Sequence, residues 1–300
     1  MLTVTTISRS FGDHRVLDDV SFDVRPGRMT GFLGANGAGK TTTMRIILGV
    51  LAAQGGTVTW HGKPVTQPLR QRFGYMPEER GLYPKMKVGE QIAWFGRLHG
   101  LSQAKAKRNT ERLLEQLDLA QRANDNLEEL SLGNQQRAQV AAALVHDPAL
   151  LILDEPFSGL DPIAVDTVLR VLRERAADGV PVLFSSHQLA LVERLCDDLV
   201  IISGGRIAAS GGREELRERY GSKRWELVVD SDAGWLRDIP GIRVVSLDGP
   251  KAVFELAEHT GSADGERTDQ RVLRAALERG EVRGFTPVVP SLDEIFKEAI

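Results

Sequence analysis

The chain has 300 residues, 42% hydrophobic and 26% charged, with a formal net charge of −3 at pH 7. Such a composition is that of an ordinary globular protein of about two domains, with no bulk basic charge for gripping nucleic acid. The most apolar stretch, VAAALVHDPALLILDEP, is broken by His146, Asp147 and Pro148, which excludes a membrane-spanning helix there.

The first residues, MLTVTTISRSF, show no basic segment followed by an apolar core, so no secretory signal is expected. LTVTTISRSF and RVLDDVSFDVRPG alternate in polarity and predict two antiparallel strands turning at Gly12 and Asp13. RMTGFLG predicts a short buried strand. It runs into GANGAGKTTT and then into TTTMRIILGVL, whose Met44, Ile47, Leu48 and Leu51 recur at helical spacing. GGTVTWHGKPV returns to strand. From about Lys85 to His146 the pattern is helical, with Ser102 as a helix N-cap. Lys105, Lys107, Arg108 and Arg112, mixed with Glu111 and Glu115, read as a solvated helix face.

ALLILDEP is a continuous apolar run between Pro148 and Pro156, as a strand covered on both faces requires. Helix and strand then alternate through VPVLFSSH and LVIISGG, implying crossover units on a largely parallel sheet. Cys196, the one cysteine, lies in the apolar stretch LVERLCDDLVII; it rules out an internal disulfide framework and predicts a buried, inert thiol. Near residue 221 the pattern changes. RWELVVD, AGWLRDI, IRVVSLDGPKAVFELAE, QRVLRAALERG and VRGFTPVV follow the order βαββαβ of a ferredoxin-like unit, with a hairpin at Asp248-Gly249 and a last helix in SLDEIFKEAI. The expected division is residues 1–221 and 222–300.

The stretch GANGAGKTT fits the pattern G-x-x-x-x-G-K-T, after a strand and opening a helix, which is the context of a phosphate-binding loop. Gly34, Ala35, Asn36, Gly37, Ala38, Gly39, Lys40, Thr41 and Thr42 are the expected nucleotide contacts. Glycines let backbone N–H groups turn toward an anion, and the helix N-terminus adds partial positive charge. Lys40 would meet the β- and γ-phosphates of ATP, and the Thr41 hydroxyl would ligate Mg²⁺. Asp154, at the end of LLILDEP, suits the same metal, and Glu155 suits a general base on water.

LSLGNQQR, residues 130–137, resembles the signature sequence of ABC-type ATPases, usually LSGGQ. Ser131 and Gly133 match, whereas Leu132 and Asn134 stand where the family has glycine and glutamine. The resemblance covers residues 1 to about 220. It implies an ABC-type ATPase core with an antiparallel β subdomain and a helical subdomain at about 85–146. It implies that Ser131, Gly133 and Gln136 meet the ATP held by a second copy, in a homodimer with composite sites. It places Phe11 against adenine, His187 of SSHQ near the γ-phosphate, and Asp161 of SGLD in a loop crossing the dimer interface. Glu78 of GYMPEERGLYPKM falls where the family has a glutamine near Mg²⁺, so it is a candidate metal ligand. LSLGNQQR, GYMPEERGLYPKM and the C-terminal VPSLDEIF are similar to bacterial exporter ATPases of sodium-extrusion and drug-resistance types.

The function implied is ATP hydrolysis that powers translocation, in the export direction, through a separate integral membrane permease. The chain would sit in the cytoplasm on the inner face of the cell membrane, with no nucleic-acid partner. Alternatives are a soluble ABC ATPase acting on DNA or ribosomes, or a regulatory ATPase. Against them stand the single phosphate loop, the lack of a long coiled-coil insertion, and the presence of both Glu155 and His187.

Overall fold

The computed structural model describes residues 1–79, 81–220, 224–256 and 267–288. It divides into two compact units, one comprising Met1–Arg213 and the other beginning at Glu214. That division falls a few residues before the expected boundary at 221, which itself lies outside the described residues.

The first unit begins with β1 (Leu2–Phe11) and β2 (His14–Val24), paired antiparallel so that Phe11 faces His14 across the turn. β3 (Met29–Leu33) leads through the glycine-rich loop to α1 (Lys40–Ile47). Met44 and Ile47 are buried on its inner face as expected, but the helix stops before Leu51. β4 (Gly55–Trp60), β5 (Lys63–Pro64), the single turn α2 (Gln67–Arg70) and β6 (Phe73–Met76) follow. Then come α3 (Val88–Leu98), α4 (Gln103–Gln116) and α5 (Leu132–Leu144), the helical segment read at about 85–146. Ser102 does cap α4, accepting from Lys105 N at 3.3 Å. The remaining elements are β7 (Leu150–Leu153), α6 (Pro162–Ala177), β8 (Val182–Ser186), α7 (Leu189–Leu195), β9 (Asp198–Ser203) and β10 (Arg206–Gly212); α8 (Arg213–Tyr220) opens the second unit.

Two sheets organise this unit. One has the antiparallel order β2-β1-β4-β5, and the other the order β10-β9-β3-β8-β7-β6, parallel from β9 to β6. β3, β7 and β8 are buried along their whole length, as strands covered on both faces must be. Phe32, Met44, Ile152, Leu183 and Val200 join one core with Leu2, Val4 and Leu17 of the antiparallel sheet. This layering sets the glycine-rich loop and the end of β7 at the same edge of the parallel sheet, because β3, β8 and β7 are adjacent and run the same way. β6 was not foreseen: four residues between a polar segment and Pro77 carry no periodicity, and only pairing with β7 makes them a strand.

In the second unit, β11 (Arg224–Val229), β12 (Ile242–Asp248), β13 (Lys251–Leu256) and β14 (Val282–Val288) form an antiparallel sheet in the order β12-β13-β11-β14. Between β11 and β12 the chain makes a five-residue 3-10 turn, Gly234–Asp238, rather than an α-helix; α9 (Thr268–Leu277) joins β13 to β14. The second and third strands form a hairpin, and the first strand lies between the third and fourth, as in a ferredoxin-like unit. Leu227, Leu236, Phe254, Val272 and Ala276 build its core. The expected last helix, SLDEIFKEAI, lies outside the described residues.

Candidate nucleotide site

The Lys40 ammonium is the first feature to explain. Lys40 is 7% exposed, and its Nζ donates to the carbonyls of Gly34 and Ala35 at 2.7 and 3.2 Å. Among the described residues no carboxylate pairs with it, and burying a cation without a counter-ion is costly. The loop around it is shaped by glycine. A Cβ on Gly34 would lie 2.5 Å from the carbonyl of Ile202, and Gly39 holds φ 112° where a Cβ would meet Leu17 at 2.5 Å. Gly39 caps α1 without a side chain, and the first turn of α1 holds no acidic residue, so its N-terminal amides and dipole are left for an anion.

Facing the loop is the end of β7. Asp154, 1% exposed, accepts from Thr41 Oγ1 at 2.9 Å and from Ser185 Oγ at 2.6 Å. Glu155 follows with φ 51°, a left-handed backbone that costs a non-glycine residue about 1–3 kcal/mol. Its amide donates to Ser185 Oγ at 2.8 Å, and its carbonyl accepts from Gln136 Nε2 at 3.0 Å and from Ser158 N at 3.1 Å. Its carboxylate lies 3.0 Å from His187 Nδ1.

A cavity of about 430 Å³ joins these groups, lined by His14, Val16, Asn36, Gly37, Gly39, Lys40, Thr41, Thr42, Glu78, Asp154 and Glu155. Glu78 belongs to the same electrostatic neighbourhood. Burial raises the pKa of the Tyr75 phenol, the carboxylates of Asp154 and Glu78 raise it further, and Arg45 opposes them. An unpaired buried ammonium, an uncapped helix start and a hydroxyl–carboxylate pair of hard oxygen donors together fit a polyphosphate with a divalent cation.

The signature residues lie at the start of α5. Ser131 caps that helix, accepting from Asn134 N at 3.4 Å, and is exposed; Leu132 is also exposed. A Cβ on Gly133 would sit 3.6 Å from Leu160, so the SGLD turn adjoins the signature. Asp161 uses Oδ1 to cap α6, at 2.8 Å from Ala164 N.

A family model described as "ABC transporter" matches residues 17–158, and one described as "ATP-binding protein DrrA1-3-like, C-terminal domain" matches residues 211–300. The uncharacterized ABC transporter ATP-binding protein YhaQ of Bacillus subtilis is 38% identical over 300 residues, covering 100% of this chain and 98% of its own. The chain belongs to the ABC transporter ATP-binding proteins. The Nod factor export ATP-binding protein I of Cupriavidus metallidurans is 39% identical over 219 residues, 72% of each chain. Among solved structures, an ATP-binding subunit of an ABC transporter superposes with a TM-score of 0.68 at 35% identity, covering 74% of this chain and 93% of that one. The family binds and hydrolyses ATP, and so does this chain. Among the described residues, no helix is long and apolar enough to cross a membrane.

Within this ABC ATPase, the sequence-read residues divide. Asn36, Gly37, Gly39, Lys40, Thr41, Thr42, Glu78, Asp154 and Glu155 line one cavity, Gly34, Ala35 and Ala38 of the loop do not, and His187 reaches Glu155 from the end of β8. Phe11 is half-exposed at the tip of the β1–β2 hairpin, with the Arg9 guanidinium 4.9 Å over its ring, and so is not a core phenylalanine. Gln136, read as a nucleotide contact, is 4% exposed and gives its amide to the Glu155 carbonyl. Five residues beyond Ser131, it lies about 140° round the helix, on the inner face. Three participants were missed. Ser185 bridges Asp154 and Glu155, and its signal was present in SSHQ, though only the histidine was read. His14 and Val16 line the cavity from an ordinary-looking strand that carries no motif.

Proposed function

We propose that this ATPase powers export through a separate membrane permease, working as a homodimer in which each ATP·Mg²⁺ lies between the phosphate loop of one copy and the signature of the other. The observation that carries this reading is the convergence of Lys40, the Thr41–Asp154 pair and Glu155 on one cavity, while Ser131 stands exposed at a helix N-terminus with no partner in its own chain's cavity. Ser131 does not line the chain's own cavity, which leaves its exposed hydroxyl accessible to a nucleotide held by a second copy. The export direction is supported by the likeness to a Nod factor export protein.

Each residue then has a task. Lys40 leaves the two loop carbonyls and pairs with phosphate oxygens. Thr41 and Asp154 would hold Mg²⁺, with Glu78 lining the same cavity as a further candidate ligand; the cation would supply charge neutralisation on the phosphates. Glu155 accepts a proton from the attacking water, and His187 orients its carboxylate through the 3.0 Å contact. Phe11 offers the base a ring face opposite Arg9. Gly133 lets the partner's nucleotide approach the start of α5, beside the loop that Asp161 anchors. The protein belongs on the cytoplasmic face of the membrane, held by its permease.

Affinity purification from detergent-solubilised membranes of the native cell tests this. Co-purification of a polytopic membrane protein, with ATP-dependent dimerisation of the isolated chain, is expected. Recovery of the chain alone, or with ribosomal components, would reject the export reading.

A further inference from the structure

The start of α5 is exposed and its inner face is not. Gln136 and Gln139 are each 4% exposed, and three residues apart they share one side of the helix. Buried primary amides need partners, and both are spent on the backbone of loops that carry carboxylates. Gln136 Nε2 donates to Glu155 O at 3.0 Å. Gln139 Nε2 donates to Pro77 O at 2.9 Å and to Glu79 O at 3.1 Å, the carbonyls on either side of Glu78. The Glu155 peptide needs such support. It is held in a left-handed conformation between Ser185 Oγ on its amide and the Gln136 and Ser158 donors on its carbonyl.

We propose that Gln136 and Gln139 are positioning residues that make α5 a rigid connector between the exposed Ser131 hydroxyl and the two loops aiming Glu155 and Glu78 into the chain's own cavity. This rests on the reading of the nucleotide site given above. When Ser131 engages the ATP of a second copy, any shift of α5 is handed through the two amides to Glu155 and Glu78. Signature engagement on one nucleotide and alignment of the carboxylates on the other are thereby a single movement. Neither glutamine lines the chain's own cavity, so neither touches the nucleotide held there.

Methionine keeps the bulk of glutamine and removes its donor. In the full-length chain, Gln136→Met should leave ATP affinity by calorimetry within about threefold of wild type while turnover falls about three- to tenfold, from the loss of one of the two donors to the Glu155 carbonyl. Backbone hydrogen exchange should quicken at the amides of Glu155, Phe157 and Ser158 in Gln136→Met and at those of Glu78 and Glu79 in Gln139→Met, each without change at the other loop. Placed in a Glu155→Gln background, Gln136→Met should cause no further loss of the residual single-turnover rate, because it acts through Glu155. A further loss as large as in the wild-type background would assign Gln136 to general packing and overturn the proposal, as would unchanged exchange with undiminished turnover. Should a methionine variant fail to fold, Gln136→Asn, which retracts the donor by one methylene, should show the same pattern; wild-type turnover and exchange in that variant would overturn it. Failure of the wild-type chain to bind ATP would sink the nucleotide-site reading instead.

Discussion

The hydroxyl of Thr41 donates to Asp154 Oδ2 across 2.9 Å, joining the first turn of α1 to the end of β7. Residues 113 positions apart thus form one oxygen-rich pair. Thr41→Val keeps the shape and removes the oxygen. ATP affinity in the presence of Mg²⁺ should fall about tenfold, while affinity in EDTA should stay unchanged. Calorimetry with and without the cation measures this, and an equal loss under both conditions would remove Thr41 from the metal.

Glu155→Gln should bind ATP and lose turnover by about 10²- to 10⁴-fold, since an amide cannot take the proton from water. ATP trapped between two copies then persists, so the variant should elute as a dimer with ATP and as a monomer without it. Hydrolysis at the wild-type rate would reject Glu155 as the base.

Lys40→Ala should weaken ATP binding roughly ten- to a hundredfold, from the loss of a hydrogen bond to a charged group. Thermal stability without nucleotide should hold or rise, because the variant no longer buries an ammonium that lacks a counter-ion. Unchanged ATP affinity would dissociate the loop from phosphate binding.

His146 predicts a pH dependence. Burial holds its pKa down to about 4, and the His99 ring stacked 3.7 Å away adds to the effect, against smaller raising contributions from the Phe73 carbonyl and Asp147. The unfolded chain takes up a proton near pH 6.5, whereas the folded chain does so only near 4. Stability is therefore fully present above pH 6.5 and declines as the pH falls toward 4, by at most about 3 kcal/mol from this group. His146→Gln should flatten the decline in Tm between pH 7 and 4.5. A parallel decline in the variant would show that other groups govern it.

A chain ending at residue 220 should bind ATP within a few-fold of the full chain. The second unit has its own core, built on Leu227, Phe254 and Val272. Truncation should instead alter the monomer–dimer balance or the hydrolysis rate, read by light scattering and phosphate release. A folded truncate that no longer binds ATP would show the units to be interdependent.

The amino-acid sequence by itself determined the chemistry that depends on short spacing. A phosphate loop is contiguous, so Gly34 to Thr42 could be read directly, and LLILDEP announces a buried strand ending in carboxylates because each residue reports its own burial. The ferredoxin-like order of the second unit was legible for the same reason, since strand alternation is local. Tertiary structure decided what depends on pairing across the fold. β6 exists because β7 lies beside it, not because its four residues favour a strand. Ser185 became part of the site because β8 neighbours β7, and only that adjacency lets one hydroxyl bond both the Asp154 carboxylate and the Glu155 amide. Gln136 reads as part of the signature motif, yet helix geometry turns it inward, where the carbonyl of a strained peptide is the acceptor within reach. Periodicity gives the face of a helix, but the partner on that face is chosen by the packing of elements distant in the chain.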